Sequence, residues 1–202
     1  LTVVTGAALV VASFFIGAIP FGLVVSWLFF RRDLRTEGSG NIGAANALRS
    51  LGKGGAIAVL VLDALKGALP IAAGRWLGSE ELALTAAFAA ILGHCFSPFL
   101  NFRGGKGVAT NLGAVLAIAW PAGAGFAAIW LAVVLLTGFS SAGSMLASIA
   151  MAPALWYLTG TPGGIYGLGS AALIVFMHRG NIARLREGTE SVLPLFRPKS
   201  SA

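Results

Sequence analysis

Charge is scarce in this sequence. Only 10% of its 202 residues are Asp, Glu, Lys or Arg, against about 25% in a typical soluble domain. A water-soluble fold of this length needs more polar surface than that. Residues 1–30 carry no charge, and none occurs from Gly107 to His178 apart from that terminal imidazole. Cysteine occurs once, at Cys95, which excludes an internal disulfide and leaves redox compartment unread. A small apolar packing role is the default for such a thiol. No His, Cys, Asp or Glu cluster has metal-site spacing, and no repeat period stands out. The basic n-region of a secretory signal is missing from the start, so no cleavable signal peptide is expected.

What is present is apolar. Hydrophobic residues make up 57% of the chain, and the mean hydropathy is +0.87. Glycine is abundant at 28 residues, as where membrane helices approach closely. These features predict an all-α integral membrane protein forming one domain over residues 1–202. A spanning helix needs about 20 residues. Residues 2–30, 54–74 and 82–96 each supply one span, and 107–178 has to cross more than once. Breakers at Pro121-Ala122-Gly123, Gly138 to Ser144 and Thr161-Pro162-Gly163-Gly164 divide it into four short segments. Either helices extend into these breakers or some segments are re-entrant. Parity favours four crossings and seven transmembrane helices in total, because the segments flanking 107–178 are both basic and are expected to share a face.

Basic residues orient the chain. Placing 31–53, 96–107 and 178–202 inside puts twelve of the fourteen Lys and Arg in the cytoplasm, Arg197 and Lys199 among them, and leaves only Arg75 outside. Lys66 lies within a span with Asp63, and the two are expected to pair, either as a structural ion pair or in support of a functional site. The N-terminus is therefore expected outside and the C-terminus inside. The net charge of +7 points to anionic headgroups and substrates rather than nucleic acid.

Three polar segments then stand out. Gly38, Gly40 and Gly43 form a G-x-G-x-x-G, but a membrane helix precedes it, which excludes a dinucleotide fold. Small residues there still let backbone N–H groups approach an anion, with Ser39 and Arg49 as donors. A tight turn with an arginine facing headgroups is the plainer reading of that segment alone. Gly104-Gly105-Lys106-Gly107 fails the Walker A spacing yet sets a lysine between glycines at a helix start. His178 and Asn181 lie one turn apart at the end of the last apolar run, with Arg184 and Arg186 read mainly as headgroup contacts. His94 is read as a hydrogen-bonded packing residue.

Together these segments resemble the bacterial acyl-phosphate:glycerol-3-phosphate acyltransferase family (PlsY-type). The likeness runs through Gly17-Ala18-Ile19-Pro20-Phe21-Gly22, Ser39 to Gly43 with Asn46 and Arg49, Asp63 to Gly67, Gly93-His94, Gly104 to Thr110, and His178 to Ile182 with Gly188-Thr189-Glu190. Ala45 stands where threonine is usual, proline comes one position late at Ser97-Pro98, and Gly138 replaces an expected arginine.

The resemblance implies transfer of a fatty acyl group from acyl phosphate to the 1-hydroxyl of glycerol 3-phosphate, the first acylation of phospholipid synthesis, at the cytoplasmic face of a bacterial inner membrane. Neither cofactor, metal nor protein partner is implied; the partners are the two substrates and membrane lipids. It implies catalytic roles for Ser39, Arg49, Lys106, His178 and Asn181. Substrate contacts are implied for Gly40, Asn41, Asn46, Gly104, Gly105, Ser141, Ser144 and Glu190. Neither His94 nor His178 has an aspartate five positions later, so a His–Asp base of the other glycerolipid acyltransferases is not in evidence. The hydroxyl proton passes either to His178 or to a substrate phosphate. Two other classes compete: a small anion transporter, also built of apolar segments around intramembrane Asp63 and Lys66, and a structural membrane protein without a site. Polar motifs gathered on one face favour the enzyme.

Overall fold

A computed structural model describes residues 2–193. The fold is helical, with no strand among the described residues. Helices α1 (Val3–Ala18) and α2 (Phe21–Phe30) are bent by 41°. The cause is Pro20, which lacks an N–H and disfavours helical geometry at Ile19. Short α3 (Ala44–Ser50) leads into α4 (Gly52–Trp76). Ser79 caps α5 (Glu80–Cys95), its Oγ accepting the Leu82 N–H at 3.1 Å. Then follow α6 (Val108–Ile118), α7 (Trp120–Thr137), α8 (Ser140–Met177) and α9 (Arg179–Arg186).

Four helices are long and apolar enough to cross a membrane, and the bent α1–α2 pair makes a fifth. Segment α8 covers 38 residues as two helices joined at a kink, and they fold against each other, a Cβ on Gly167 meeting the Ala152 backbone. It breaks at Gly160, where φ is 75° and ψ −165°. Helix α6, at 11 residues, reaches only about 16 Å.

Each expected breaker lies beside a real interruption, though only Gly138 forms one, ending α7 at φ 76°. Pro121 sits in the first turn of α7, where a missing N–H costs nothing. Ser140 to Ser144 are the first residues of α8, and Thr161 to Gly164 lie inside it. The stretch is interrupted at Ala119, at Gly138-Phe139 and at Gly160, which leaves four helical segments that extend into the breaker residues.

Glycines bring the helices together. A Cβ on Gly17 would overlap the Ala90 carbonyl, and one on Gly93 the Phe14 carbonyl, which locks α1 to α5. Gly67 against Thr110 and Gly113 against Ala64 do the same for α4 and α6. Leu136, Tyr157 and other large apolar side chains face outward, as lipid contact requires.

The connections sort into two ends. At one, Arg75 at the end of α4 pairs with Glu80 at 2.7 Å and donates to the carbonyls of Ala117 and Ile118 at the end of α6. At the other, segments 31–43, 96–107, 138–139 and 178–193 meet around a cavity.

Candidate active site

The first wall of the cavity is the loop after α2. Its shape depends on Asn46, which is 2% exposed. The Asn46 amide donates to the carbonyls of Leu34 and Glu37, each at 3.0 Å, and its oxygen accepts the Ser39 N–H at 2.8 Å. Gly38 and Gly40, both at positive φ, let the chain fold back around that amide. Ser39 is thereby left exposed at the cavity, with Arg49 beside it in the last turn of α3. Arg49 donates to the Ser191 carbonyl at 3.2 Å.

The glycine-lysine loop forms the second wall. The Gly104 and Gly105 N–H groups donate to the carbonyls of Cys95 and His94, each at 3.0 Å. These donors close the C-terminus of α5 and are turned away from the cavity. Gly107, at φ 78°, starts α6. Between them the Lys106 ammonium donates to the Asn181 side-chain oxygen at 2.5 Å.

His178 and Asn181 come from the junction of α8 and α9, as their spacing predicts. The His178 Nδ1 lies 2.7 Å from the Ile174 carbonyl. A carbonyl only accepts, so Nδ1 carries the proton and Nε2 of the neutral ring is a lone-pair acceptor. Gly188, at φ 69°, returns the chain so that Glu190 points inward. Its carboxylate accepts from Ser141 at 2.7 Å, Asn181 at 2.6 Å and Arg184 at 2.8 Å. Ser144 instead donates to the Ser140 carbonyl of its own helix at 2.8 Å.

The cavity measures about 840 Å³. Every expected site residue lines it except Gly40, Gly104 and Gly105. Sequence reasoning missed Arg184, which turns inward to Glu190 rather than outward to headgroups. It also missed that His94 reaches the wall, where it joins Asp63, with His94 Nδ1 3.7 Å from the Asp63 carboxylate. The Asp63–Lys66 pair itself forms at 2.8 Å. Away from the polar end the lining is apolar: Ile57 and Leu60 of α4, Leu112 of α6, Phe126, Ala127 and Trp130 of α7.

Burial lowers the Lys106 pKa to about 8, with the Arg184 and Arg49 charges adding to the shift and Glu190 opposing it. Burial likewise lowers His178 to about 4, helped by Lys106 and opposed by its bond to Ile174 and by Glu190. For Glu190 burial is the largest single influence and pushes upward. The hydrogen bonds from Ser141, Asn181 and Arg184 together outweigh it and hold the carboxyl below its usual range. Three cations, Arg49, Lys106 and Arg184, thus face one carboxylate beside a neutral imidazole, a balance that attracts anions. No group of three or more His, Cys, Asp or Glu among the described residues could hold a metal ion.

Residues 7–188 match the family described as glycerol-3-phosphate acyltransferase. The chain belongs to that family. A glycerol-3-phosphate acyltransferase of Roseobacter denitrificans is 48% identical over 181 residues, spanning 89% of this chain and 90% of its own. One from Jannaschia sp. is 45% identical over 179 residues, spanning 88% of each. Among solved structures, the crystal structure of PlsY (YgiH), an integral membrane glycerol 3-phosphate acyltransferase, in its glycerol 3-phosphate form superposes with a TM-score of 0.88 at 34% identity. It covers 96% of this chain and 100% of that one. The lysophosphatidic acid form of PlsY gives 0.86 at 32% identity, with the same coverage.

Proposed function

We propose that this acyltransferase moves a fatty acyl group from acyl phosphate to the 1-hydroxyl of glycerol 3-phosphate, releasing 1-acyl-glycerol 3-phosphate and phosphate. The observation that carries the reading is the composition of one cavity: a cationic polar end continuous with an apolar groove between α4, α6 and α7. Two phosphorylated substrates suit the first part, and an acyl chain suits the second.

In this reading Arg49 and Lys106 hold phosphate oxygens and stabilise charge on the leaving phosphate. Ser39 adds a short donor, with Asn41 at the same wall. Asn46 acts by fixing that loop, since its amide is already engaged there. Gly104 and Gly105 act by placing Lys106, since their N–H groups close α5. Asn181, Glu190 and Ser141 hold Lys106 and Arg184 in register.

Burial lowers His178 to about 4, and its Nδ1 is engaged by the Ile174 carbonyl, so in this reading the neutral ring accepts a hydrogen bond at Nε2 and orients the hydroxyl. The hydroxyl proton passes to an oxygen of a substrate phosphate.

Seven crossings with the N-terminus outside complete the reading. The two halves of α8 count separately, and short α6 crosses with its ends at thinned, polar boundaries. The cavity end carries the basic loops and faces the cytoplasm of a bacterial inner membrane. Trp76 and Trp120, 86% and 73% exposed, mark the opposite interface.

The test is purified protein with palmitoyl phosphate and glycerol 3-phosphate, following phosphate release. Turnover with acyl phosphate and none with acyl-CoA is expected. Equal rates with both donors would overturn the donor assignment.

A further inference from the structure

The Ile19-Pro20 break ends the regular bonding of α1, so its last carbonyls lack their helical partners, and the Ile19 carbonyl keeps only the Phe21 N–H of the next helix at 3.0 Å. Two side chains from elsewhere reach these carbonyls. Ser97 donates to the Ala18 carbonyl at 2.7 Å, and the Lys66 ammonium donates to the Ile19 carbonyl at 3.0 Å. Lys66 also pairs with Asp63 at 2.8 Å and lies 5.6 Å from the centroid of the Phe21 ring. It is therefore bound to both sides of the break. Beyond the break, Gly22 packs so closely on the Ile42 carbonyl that a Cβ would overlap it. The break thus sets where the Ser39 loop stands.

Asp63 has a second neighbour. His94 Nδ1 is 3.7 Å away, and that side chain is 4% exposed. The far side of the His94 ring lies against Gly105, where a Cβ would overlap Nε2, and the His94 carbonyl accepts the Gly105 N–H at 3.0 Å. Gly105 precedes Lys106. Stability alone does not account for the buried charges, because apolar residues of similar volume are often as stable as a buried ion pair.

We propose that Asp63, Lys66 and His94 form a buried positioning unit that holds the break in the first span and the glycine-lysine loop at a fixed separation, and so sets how tightly glycerol 3-phosphate binds. The proposal rests on the reading that Arg49 and Lys106 hold substrate phosphate. Glycerol 3-phosphate has only polar contacts to lose when the two walls drift apart. Acyl phosphate keeps its chain in the apolar groove. The unit therefore acts on one substrate and spares the other.

The test uses the full chain carrying the double substitution Asp63→Asn/Lys66→Met, which removes both charges together and leaves neither unpaired. Affinity for glycerol 3-phosphate is measured by titration calorimetry beside the KM of each substrate and the melting temperature. The Kd and KM for glycerol 3-phosphate are expected to rise about tenfold, with the KM for palmitoyl phosphate within about twofold of wild type. Both glycerol 3-phosphate constants unchanged, with only the melting temperature lowered, would show a purely structural pair and overturn the proposal. If the double variant does not fold, His94→Gln carries the same test: a rise of about threefold or more in the glycerol 3-phosphate Kd is expected, and an unchanged Kd overturns it. A wild type that binds glycerol 3-phosphate yet does not turn over acyl phosphate would defeat the donor reading alone, since the calorimetry still reads the positioning unit.

Discussion

Lys106 and Asn181, 75 residues apart in sequence, meet at 2.5 Å, the ammonium donating to the amide oxygen. The same amide donates to Glu190, which also holds Arg184. The glycine-lysine loop and the C-terminal segment therefore form one network. On the proposed reading, a phosphate arriving there would meet cations already placed, which removes part of the entropic cost of gathering them.

Removing a cation from this network is expected to have graded effects. Lys106→Met and Arg49→Ala each lose a charge-assisted contact of about 1.5–3 kcal/mol, roughly ten- to hundred-fold in kcat/KM. Arg186 is exposed and off the cavity wall, so Arg186→Ala is expected to stay within about twofold. Arg184→Ala falls between, because Arg184 is half exposed yet bound to Glu190. Phosphate release by purified variants gives the order. A dead Arg186 variant beside an active Lys106 variant would move the phosphate site to the C-terminal segment.

Activity is expected to fall on the alkaline side as Lys106, lowered by burial to about 8, loses its proton. Lys106→Arg keeps its charge and is expected to lose that inflection whatever its rate. Stability moves the other way. Between about 8 and the ordinary lysine value of 10.5 the unfolded chain binds more protons, so stability rises with pH there. His178, lowered to about 4 from 6.5, likewise binds more protons unfolded. Its contribution is lost as pH falls from 6.5 towards 4. Rate profiles and thermal unfolding across pH read both; a wild-type alkaline limb that persists in Lys106→Arg would exclude Lys106 as its source.

The apolar part of the cavity is expected to hold the acyl chain. Ala127 lies on that wall at an exposed position of α7, so Ala127→Trp fills space without disturbing the core. The KM for palmitoyl phosphate is expected to rise several-fold, on the order of 1 kcal/mol of lost contact, while that for butyryl phosphate changes little. Equal effects on both donors would place the chain elsewhere.

Topology is checked by single cysteines at Ser50 and Ser79. Cys95 is buried and contributes little background. Ser50→Cys is expected to label from the cytoplasm and Ser79→Cys from outside, the latter despite losing a cap of about 1 kcal/mol. Labelling from one side only would break the seven-crossing reading.

The residues that meet in the cavity were legible as motifs because phosphate chemistry restricts residue types: Ser39, Arg49, Lys106, His178 and Asn181 stand out against an apolar chain. Their roles were less legible. Gly104 and Gly105 read as substrate contacts, yet spend their N–H groups on α5, because a helix end supplies acceptors that no motif displays. Arg184 read as a headgroup contact because its partner Glu190 lies beyond a left-handed turn at Gly188. Pro121 read as a breaker but opens a helix, since proline interrupts only from the second turn onward. His94 and Asp63 approach through packing of α4 on α5, which periodicity does not encode.

The contact from Arg49 to the Ser191 carbonyl closes 142 residues of chain, and it bears on how the enzyme is made. During synthesis the Ser39 loop and Arg49 emerge early, and the ribosome has to add every later helix before Ser191 exists. A nascent chain that ends at Met177 already holds all of its membrane segments but neither Asn181 nor Glu190. Such a fragment keeps Arg49 and Lys106 but lacks the Ser191 carbonyl and the Asn181 amide that hold them. Premature termination is therefore expected to leave these cations unplaced.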